Sequence, residues 1–504
     1  MKLENVEHAS QVSRRLQQPT ADEVCDLIYR PRLQDFAGGF GYLTAINEAH
    51  VLMLHKQGLI DAPVAQAIGR ALIEMGQAGP GVVELDPQRE DAYFNYEAHL
   101  IAKVGVDVGG RMHTARSRND ILATMDRMRS RDLVISLLDE IHAVRETALA
   151  QAERYAAVVM PGYTHLQPAQ PITYGFYLAA VAQALERDGQ RLAAAYAHID
   201  RCPMGAGAFA GTPYEIDREE TARLLGFPAV IANTMDAVAS RDFAFEVLGA
   251  LAVLAATWSR IAQDYFVWST DEFGLVDFPD SVAGTSSIMP QKKNPVVLEY
   301  LKGRAGQVLG QYTAAIAALK GTNFSHTGDA NRESIGAFWP AVQDSLASLR
   351  LLRLVLETAA PREDAMSRRA RQNFCAATDL ADAIVVRAGL SFRQSHHIVG
   401  AVVREAMDKG LPADGISLEM VQRAARQQLG RALGLSEEDV RQSLDPAYSV
   451  TRRRQGGPAP ETVRALAAQA RAALIADRQQ NQARRQALED AGRRRRERLL
   501  EVVR

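Results

Sequence analysis

Cysteine is nearly absent from this 504-residue chain: Cys25, Cys202 and Cys375 are odd in number and far apart. They argue against a disulfide framework and fit a reducing compartment. An excess of one charge sign is also lacking. The formal net charge is -2, so nothing global favours nucleic acid or an anionic membrane as a partner. No run of about 18 uncharged apolar residues occurs, so no membrane span is expected. The richest apolar stretch, Phe243 to Trp258, carries Glu246 and is bounded by Arg241, Asp242 and Arg260. It reads as a buried helix of a large core. Met1-Lys2-Leu3-Glu4-Asn5 has no apolar core of a signal peptide, and a cytoplasmic location is expected. No HExxH and no cluster of Cys and His appears, so neither metal nor cofactor is expected. Gly205-x-Gly207 with Gly211 is not preceded by a strand, which argues against a dinucleotide fingerprint. His396-His397 lack partners at metal spacing and read as surface or packing residues.

Helical patterning dominates what is present. No Pro or Gly falls between Asn119 and Ala157, and Val134, Leu137, Leu138, Ile141, Val144 and Ala148 mark one apolar face. Met235 to Phe273 holds Gly249 as its lone glycine and no proline. Val296 to Leu319 is a third long helix, with Gly303, Gly306 and Gly310 near one face. Pro171 to Asp200 is a fourth. No convincing run of alternating strand segments appears. The fold class is therefore all-α, a bundle of long helices. Helices of this length seldom bury their faces inside one small domain, so association of subunits is expected. Composition divides the chain into an N-terminal helical domain (1–115), a central bundle (116–362), a small C-terminal helical domain (363–476) and an Arg-rich segment (477–504). That last segment, ending Arg493-Arg494-Arg495-Arg496-Glu497-Arg498, reads as a solvated helical or disordered tail.

The chemistry concentrates in Gly284-Thr285-Ser286-Ser287-Ile288-Met289-Pro290-Gln291-Lys292-Lys293-Asn294-Pro295. It is too rich in Gly and Pro for a continuous helix, and loops on rigid scaffolds carry function. A serine among fixed cations can be ionised and act as a base. Two more segments stand with it: Met112-His113-Thr114-Ala115-Arg116-Ser117-Arg118-Asn119-Asp120 and Gly162-Tyr163-Thr164-His165-Leu166-Gln167-Pro168. Each is expected at a helix edge. Taken alone, Ser117 and Asn119 are good helix caps, and a helix N-terminus is also an anion site.

In this order the three segments resemble the recurrent regions of the fumarase/aspartase superfamily. Their wording is most similar to argininosuccinate lyase: H-T-x-R-S-R-N-D, G-Y-T-H-L-Q and M-P-Q-K-K-N-P. Glu90-Asp91, Gly205 to Pro213 and Asn233-Thr234-Met235-Asp236 followed by Ser240-Arg241-Asp242 resemble that family too, and the likeness runs from roughly residue 40 to 475. The resemblance implies a carbon–nitrogen lyase that eliminates an amine from an N-substituted aspartate and releases fumarate through an aci-carboxylate. It implies Ser286 as base and Lys292 as its cation and carboxylate ligand. His165, paired with Glu299, would serve the leaving amine or relay protons. Ser117, Arg118, Asn119, Thr164 and Asn294 would hold the fumarate half, with Ser287, Gln167 and Arg241 added to the ligand-facing set. It further implies a homotetramer whose three regions come from three subunits.

Four departures stand out. Thr285 replaces the usual glycine before the serine pair, and Tyr93 replaces the usual histidine of the E-D-x-H stretch. Around Tyr29-Arg30-Pro31-Arg32 the family's N-terminal serine has no clear equivalent. In Lys320 to Ser334, His326 stands for the family's Tyr, Asn331 for its Gln and Ser334 for its Lys. The last two departures fall on the amine side, so an aminosuccinate other than argininosuccinate is expected, of the ethylenediamine-disuccinate kind. Arg30, Arg32, Arg332 and His326 are candidates to meet a second carboxylate. Authentic argininosuccinate lyase, and a crystallin-like structural protein, are the alternatives.

Overall fold

Long Gly- and Pro-poor stretches with one apolar face fold here as long helices. The computed structural model describes Arg15 and residues 18–504. An N-terminal group contains α1 (Phe36–Lys56), α2 (Ala62–Ala78) and α3 (Ala92–Val104). The bundle follows: α4 (Arg118–Arg154), α5 (Tyr174–Ile199), α6 (Thr234–Ala239), α7 (Asp242–Trp268), α8 (Val296–Leu319) and α9 (Phe338–Thr358). A small helical group around α10 (Phe392–Asp408) precedes the final helix α11 (Pro460–Val503). Among the described residues the buried apolar side chains gather into three large clusters: one in the bundle, one under α1 to α3, and one within 380–444. The helix α7 sits at the centre of the bundle, packed on α5, α8 and α9. Its Trp258 is fully buried and donates Nε1–H to the Leu301 carbonyl at 3.0 Å.

Three expectations need correction. First, the chain is not free of strands. β1 (Val159–Thr164) and β2 (Gln167–Thr173) form an antiparallel hairpin, so the Gly-Tyr-Thr-His segment is the end of a strand and the first residue of its turn, not a helix edge. The residues taken as the start of the fourth helix, Pro171 to Thr173, belong to β2 instead. Second, the stretch from Met235 is broken at Ser240-Arg241, between α6 and α7. Buried Arg241 bonds there to the Val238 and Ser240 carbonyls and pairs with Asp126 at 3.3 Å. Third, the Arg-rich segment, expected as a solvated helical or disordered tail, is helical and only partly solvated: it is the second half of α11, a 44-residue helix.

Val463, Ala467, Ala470, Leu474, Asn481 and Ala491 are buried at heptad-like spacing along α11. Arg471, Arg478 and Arg485, seven residues apart, pair with Glu153 and Glu146, with Glu146, and with Asp139 on α4. The Arg block then reaches the N-terminal group. Arg495 and Arg496 bond the fully buried Glu48 at 3.0 and 3.1 Å, and Arg498 pairs with Glu220. Long-range pairing with buried carboxylates is what the local composition could not reveal.

One helix face stays uncovered. On α8 a Cβ added at Gly303, Gly306 or Gly310 would meet nothing within 4 Å. Tyr300, Leu309 and Ile316 on the same helix are exposed, whereas Leu298, Leu301, Ala305 and Val308 are buried against the bundle. A face of small and apolar residues, interrupted by Gln307 and Thr313, leaves room for another helix to approach.

Candidate active site

The first region is built on the N-terminus of α4. Ser117 is the N-cap, with Asp120 closing a capping box. Arg118 donates to Glu90 at 2.6 Å and lies 3.3 Å from Asp91. Glu90 itself holds a left-handed backbone, φ 67°, which costs a non-glycine residue about 1–3 kcal/mol and gathers at functional sites. Asn119 donates its Nδ2–H to the Ala208 carbonyl at 3.0 Å. Tyr93, in the place of the expected histidine, is fully buried; its hydroxyl lies 2.6 Å from both Glu97 and His113 Nδ1.

The amine-side segment packs beside this region. Asp329–Glu333 forms a π-helical turn. Asn331 is 2% exposed; its Nδ2–H donates to the Thr327 carbonyl, while its Oδ1 is buried without a partner. His326 Nδ1 is buried and unpartnered as well. Burial, then Arg241, Arg332 and Arg118, holds the His326 imidazole down at about 4, so it is neutral in neutral solution. Arg332 lies 3.6 Å from Asp91, and Arg32 bonds Glu333 at 3.2 Å. Exposed Arg30 instead pairs with Asp26. Ser334 turns its hydroxyl to the Ala330 carbonyl. A cavity of about 340 Å³ adjoins this cluster, walled by Arg32, Asp91, Asp126, Arg332, Met125 and Trp339. Arg241 is 1% exposed; its Nη1 donates to two carbonyls and its Nε lies 3.3 Å from Asp126, so it underlies this cluster from within the fold.

The second region is the tip of the β1–β2 hairpin. Thr164 pairs with Gln167, leaving His165 and Leu166 as a two-residue turn with φ 56° and 57°. Both residues being left-handed is the type I′ geometry, usually taken by Asn and Gly. Thr164, His165 and Gln167 are all exposed, and their side chains bond no described residue.

The third region is a closed loop. Gly284 and Asn294 exchange backbone hydrogen bonds at 2.8 Å, and Asn294 Nδ2–H donates to the Thr285 carbonyl at 3.1 Å. Gly284 is required by space: a Cβ there would stand 2.4 Å from Val296 Cγ1. Inside the loop, Ser286 Oγ accepts backbone N–H from Met289 at 3.0 Å and Ile288 at 3.4 Å. Donors aimed at the oxygen favour its ionised form. The sequence points to the cations, Lys292 foremost, as what stabilises the ionised serine; the backbone donors depend on the tight Ser-Ser-x-Met-Pro turn. Lys293 is drawn away to Asp277, Asp280 and the Phe278 carbonyl, whereas exposed Lys292 pairs with no described residue. Glu299, in the first turn of α8, and Ser287 are exposed and likewise unpaired.

These regions do not converge within one chain. The first region heads α4 and the hairpin follows its other end. A 37-residue helix spans roughly 55 Å, so Ser117 and Thr164 lie far apart. The hairpin packs with the end of α7, Tyr163 against Phe273 at 5.7 Å, and the loop begins just beyond, its Lys293 on Phe278. His165 and Glu299 form no ion pair in the chain. One end of the bundle thus carries Ser117 to Asn119 with His326 and Asn331; the other carries the hairpin and the serine loop.

Residues 44–310 match a family model described as lyase, and 374–451 match one described as argininosuccinate lyase C-terminal. The chain is 40% identical to argininosuccinate lyase 1 of Shouchella clausii over 479 residues, covering 95% of this chain and 96% of that one. It is 41% identical to argininosuccinate lyase of Methanoculleus marisnigri over 434 residues, 86% and 87% of the two chains. Among solved structures, an EDDS lyase variant with bound fumarate aligns with TM-score 0.85 and 32% identity over 96% of each chain. Class II fumarase of Schistosoma mansoni shares the fold, at TM-score 0.65 and 16% identity over 81% of this chain and 90% of that one. Together with the serine loop and its partner regions, these likenesses make the chain a member of the argininosuccinate lyase family, a carbon–nitrogen lyase that eliminates an amine and releases fumarate.

Proposed function

We propose that this enzyme releases fumarate from an N-substituted aspartate other than argininosuccinate, an aminosuccinate of the ethylenediamine-disuccinate kind. The observation that carries the reading is the amine-side turn, where His326 and Asn331 offer buried, unpartnered atoms and Ser334 is turned to backbone. A site built to bond one amine rejects another that leaves such groups unpaired, by as much as about 10⁴-fold.

The chemistry follows from the side chains. Ser286, as alkoxide held by the Met289 and Ile288 N–H groups, takes the proton from the carbon beside one substrate carboxylate. The charge moves into that carboxylate, where Lys292 with Asn294 stabilises the aci-form. Ser117, Asn119 and Thr164 hold the fumarate half. The electron pair then re-forms the carbon–carbon double bond as the carbon–nitrogen bond breaks, and the amine leaves with a proton relayed by His165, which Glu299 orients. Because the groups stand at opposite ends of one bundle, the site is assembled from several subunits, in a homotetramer joined through the open face of α8.

The test is growth of fumarate absorbance with purified enzyme on ethylenediamine-disuccinate and on argininosuccinate. Turnover of the first with little of the second is expected; rapid turnover of argininosuccinate overturns the altered-amine reading. That second reading, an argininosuccinate lyase proper, is favoured by the names of the relatives at 40% and 41% identity.

A further inference from the structure

The Gly205-x-Gly207 and Gly211 motif has no part in the chemistry above, yet one side chain fastens it to the site. Asp120 is fully buried at the third position of α4. Its Oδ1 accepts the Ser117 N–H at 3.0 Å; its Oδ2 accepts the Gly205 N–H at 3.0 Å and the Gly207 N–H at 2.9 Å. Capping α4 requires the first of these bonds alone. The other two reach a loop over 80 residues away. The loop has little freedom of its own: Gly205, Gly207 and Gly211 take φ of 84°, 61° and 75°, and a Cβ at Gly207 would stand 2.7 Å from the Gly211 carbonyl oxygen. Asn119, on the same turn as Asp120, donates to Ala208 between these glycines.

We propose that Asp120 is a positioning residue for fumarate release: it clamps the rigid Gly205–Gly211 loop to the head of α4, and so aims Ser117 and Asn119 at the substrate carboxylate. The inference rests on the assignment of Ser117 and Asn119 to the site. Burial pushes the Asp120 carboxyl up to about 6, against the pull of its N–H donors and of Arg116. Arg116 is the charged group facing it from the preceding turn; Cys202, just before the loop, is the titratable neighbour, and Arg218 lies over Gly205. As pH falls through that value the carboxyl gains a proton that points at N–H donors, and the clamp weakens.

The experiment compares native enzyme with Asp120→Asn and Gly207→Ala, on whichever substrate the native enzyme turns over. Circular dichroism and light scattering check fold and assembly. Asp120→Asn should lose on the order of 100-fold in kcat/KM, the cost of a small misplacement, with a rise in the substrate's KM carrying most of it. The native acid limb near pH 6 should be displaced in this variant. Gly207→Ala leaves Asp120 intact and should reproduce the KM rise; it decides alone where Asp120→Asn does not fold. Folded variants with native kcat/KM and an unmoved acid limb overturn the proposal. Ser117→Ala and Asn119→Ala without effect would instead remove the site assignment on which it rests.

Discussion

Replacing Asn331 by Leu should separate stability from activity. The residue is 2% exposed, and its Oδ1 has no partner. A buried acceptor left unsatisfied costs about 1–3 kcal/mol, which Leu of similar size removes. The change also deletes the Nδ2–H bond to the Thr327 carbonyl at 3.2 Å. That carbonyl keeps the Asn331 backbone N–H at 3.0 Å, so the loss is about 0.5–1.5 kcal/mol. The net effect on stability lies between a loss of about 0.5 kcal/mol and a gain of about 2.5 kcal/mol. Activity moves the other way. An acceptor that meets the substrate's amine side is worth about 1–3 kcal/mol, or roughly 5- to 150-fold in kcat/KM. The assays are urea unfolding at one fixed protein concentration, since the proposed assembly would make the midpoint concentration-dependent, and fumarate absorbance. A variant that unfolds more easily while keeping its kcat/KM would refute the reasoning.

Other expected outcomes follow from single contacts. Gly284→Ala drives a Cβ into Val296 and should cost about 1–3 kcal/mol and displace the serine loop; Val296→Ala beside it should restore much of the activity, read by kcat. Lys292→Ala should abolish turnover with an unchanged melting temperature, whereas Lys293→Ala, which frees the loop from Asp277 and Asp280, should lower both modestly. Arg495→Ala leaves the buried Glu48 with the partly exposed Arg496 as its partner, and should cost less than the about 3–5 kcal/mol of a buried charge left wholly unpaired, seen as a lower thermal midpoint and faster proteolysis of α11; removing Arg496 as well should bring the full cost. Lowering pH from about 6.5 to 4 should destabilise the protein through His326: the unfolded chain takes its proton near 6.5, while the folded imidazole resists to about 4. His326→Phe should flatten that part of the stability profile.

The long helices were legible because Gly and Pro are missing inside them; Val296 to Leu319 begins and ends where the pattern did. The hairpin was not, since its turn residues are His165 and Leu166, and no Asn-Gly or Asp-Gly announces it. Nor was the break before α7, which depends on Arg241 meeting Asp126 across more than a hundred residues. The Arg-rich end was misread for the same kind of reason: its charges answer Glu48 and Glu220, far away in sequence. At the site, the motifs name the candidate groups. They could not tell that Asn119 and His326 share one end of the bundle while His165 and Ser286 occupy the other. Asp120 was in view as the last letter of Ser-Arg-Asn-Asp, a capping-box position, but its reach to Gly205 and Gly207 needs the fold.

Shared sites and the chemical roles of their residues can be tested in one mixture. Ser286→Ala and Asn119→Ala each disable one end of the bundle, and each enzyme alone should be inactive. Unfolded together and refolded, mixed assemblies should contain some sites that draw an intact serine loop from one subunit and an intact α4 head from another. Fumarate release should reappear in the mixture, and not in either variant refolded alone. A mixture as inactive as its parents, with light scattering showing that the subunits have exchanged, would contradict the account.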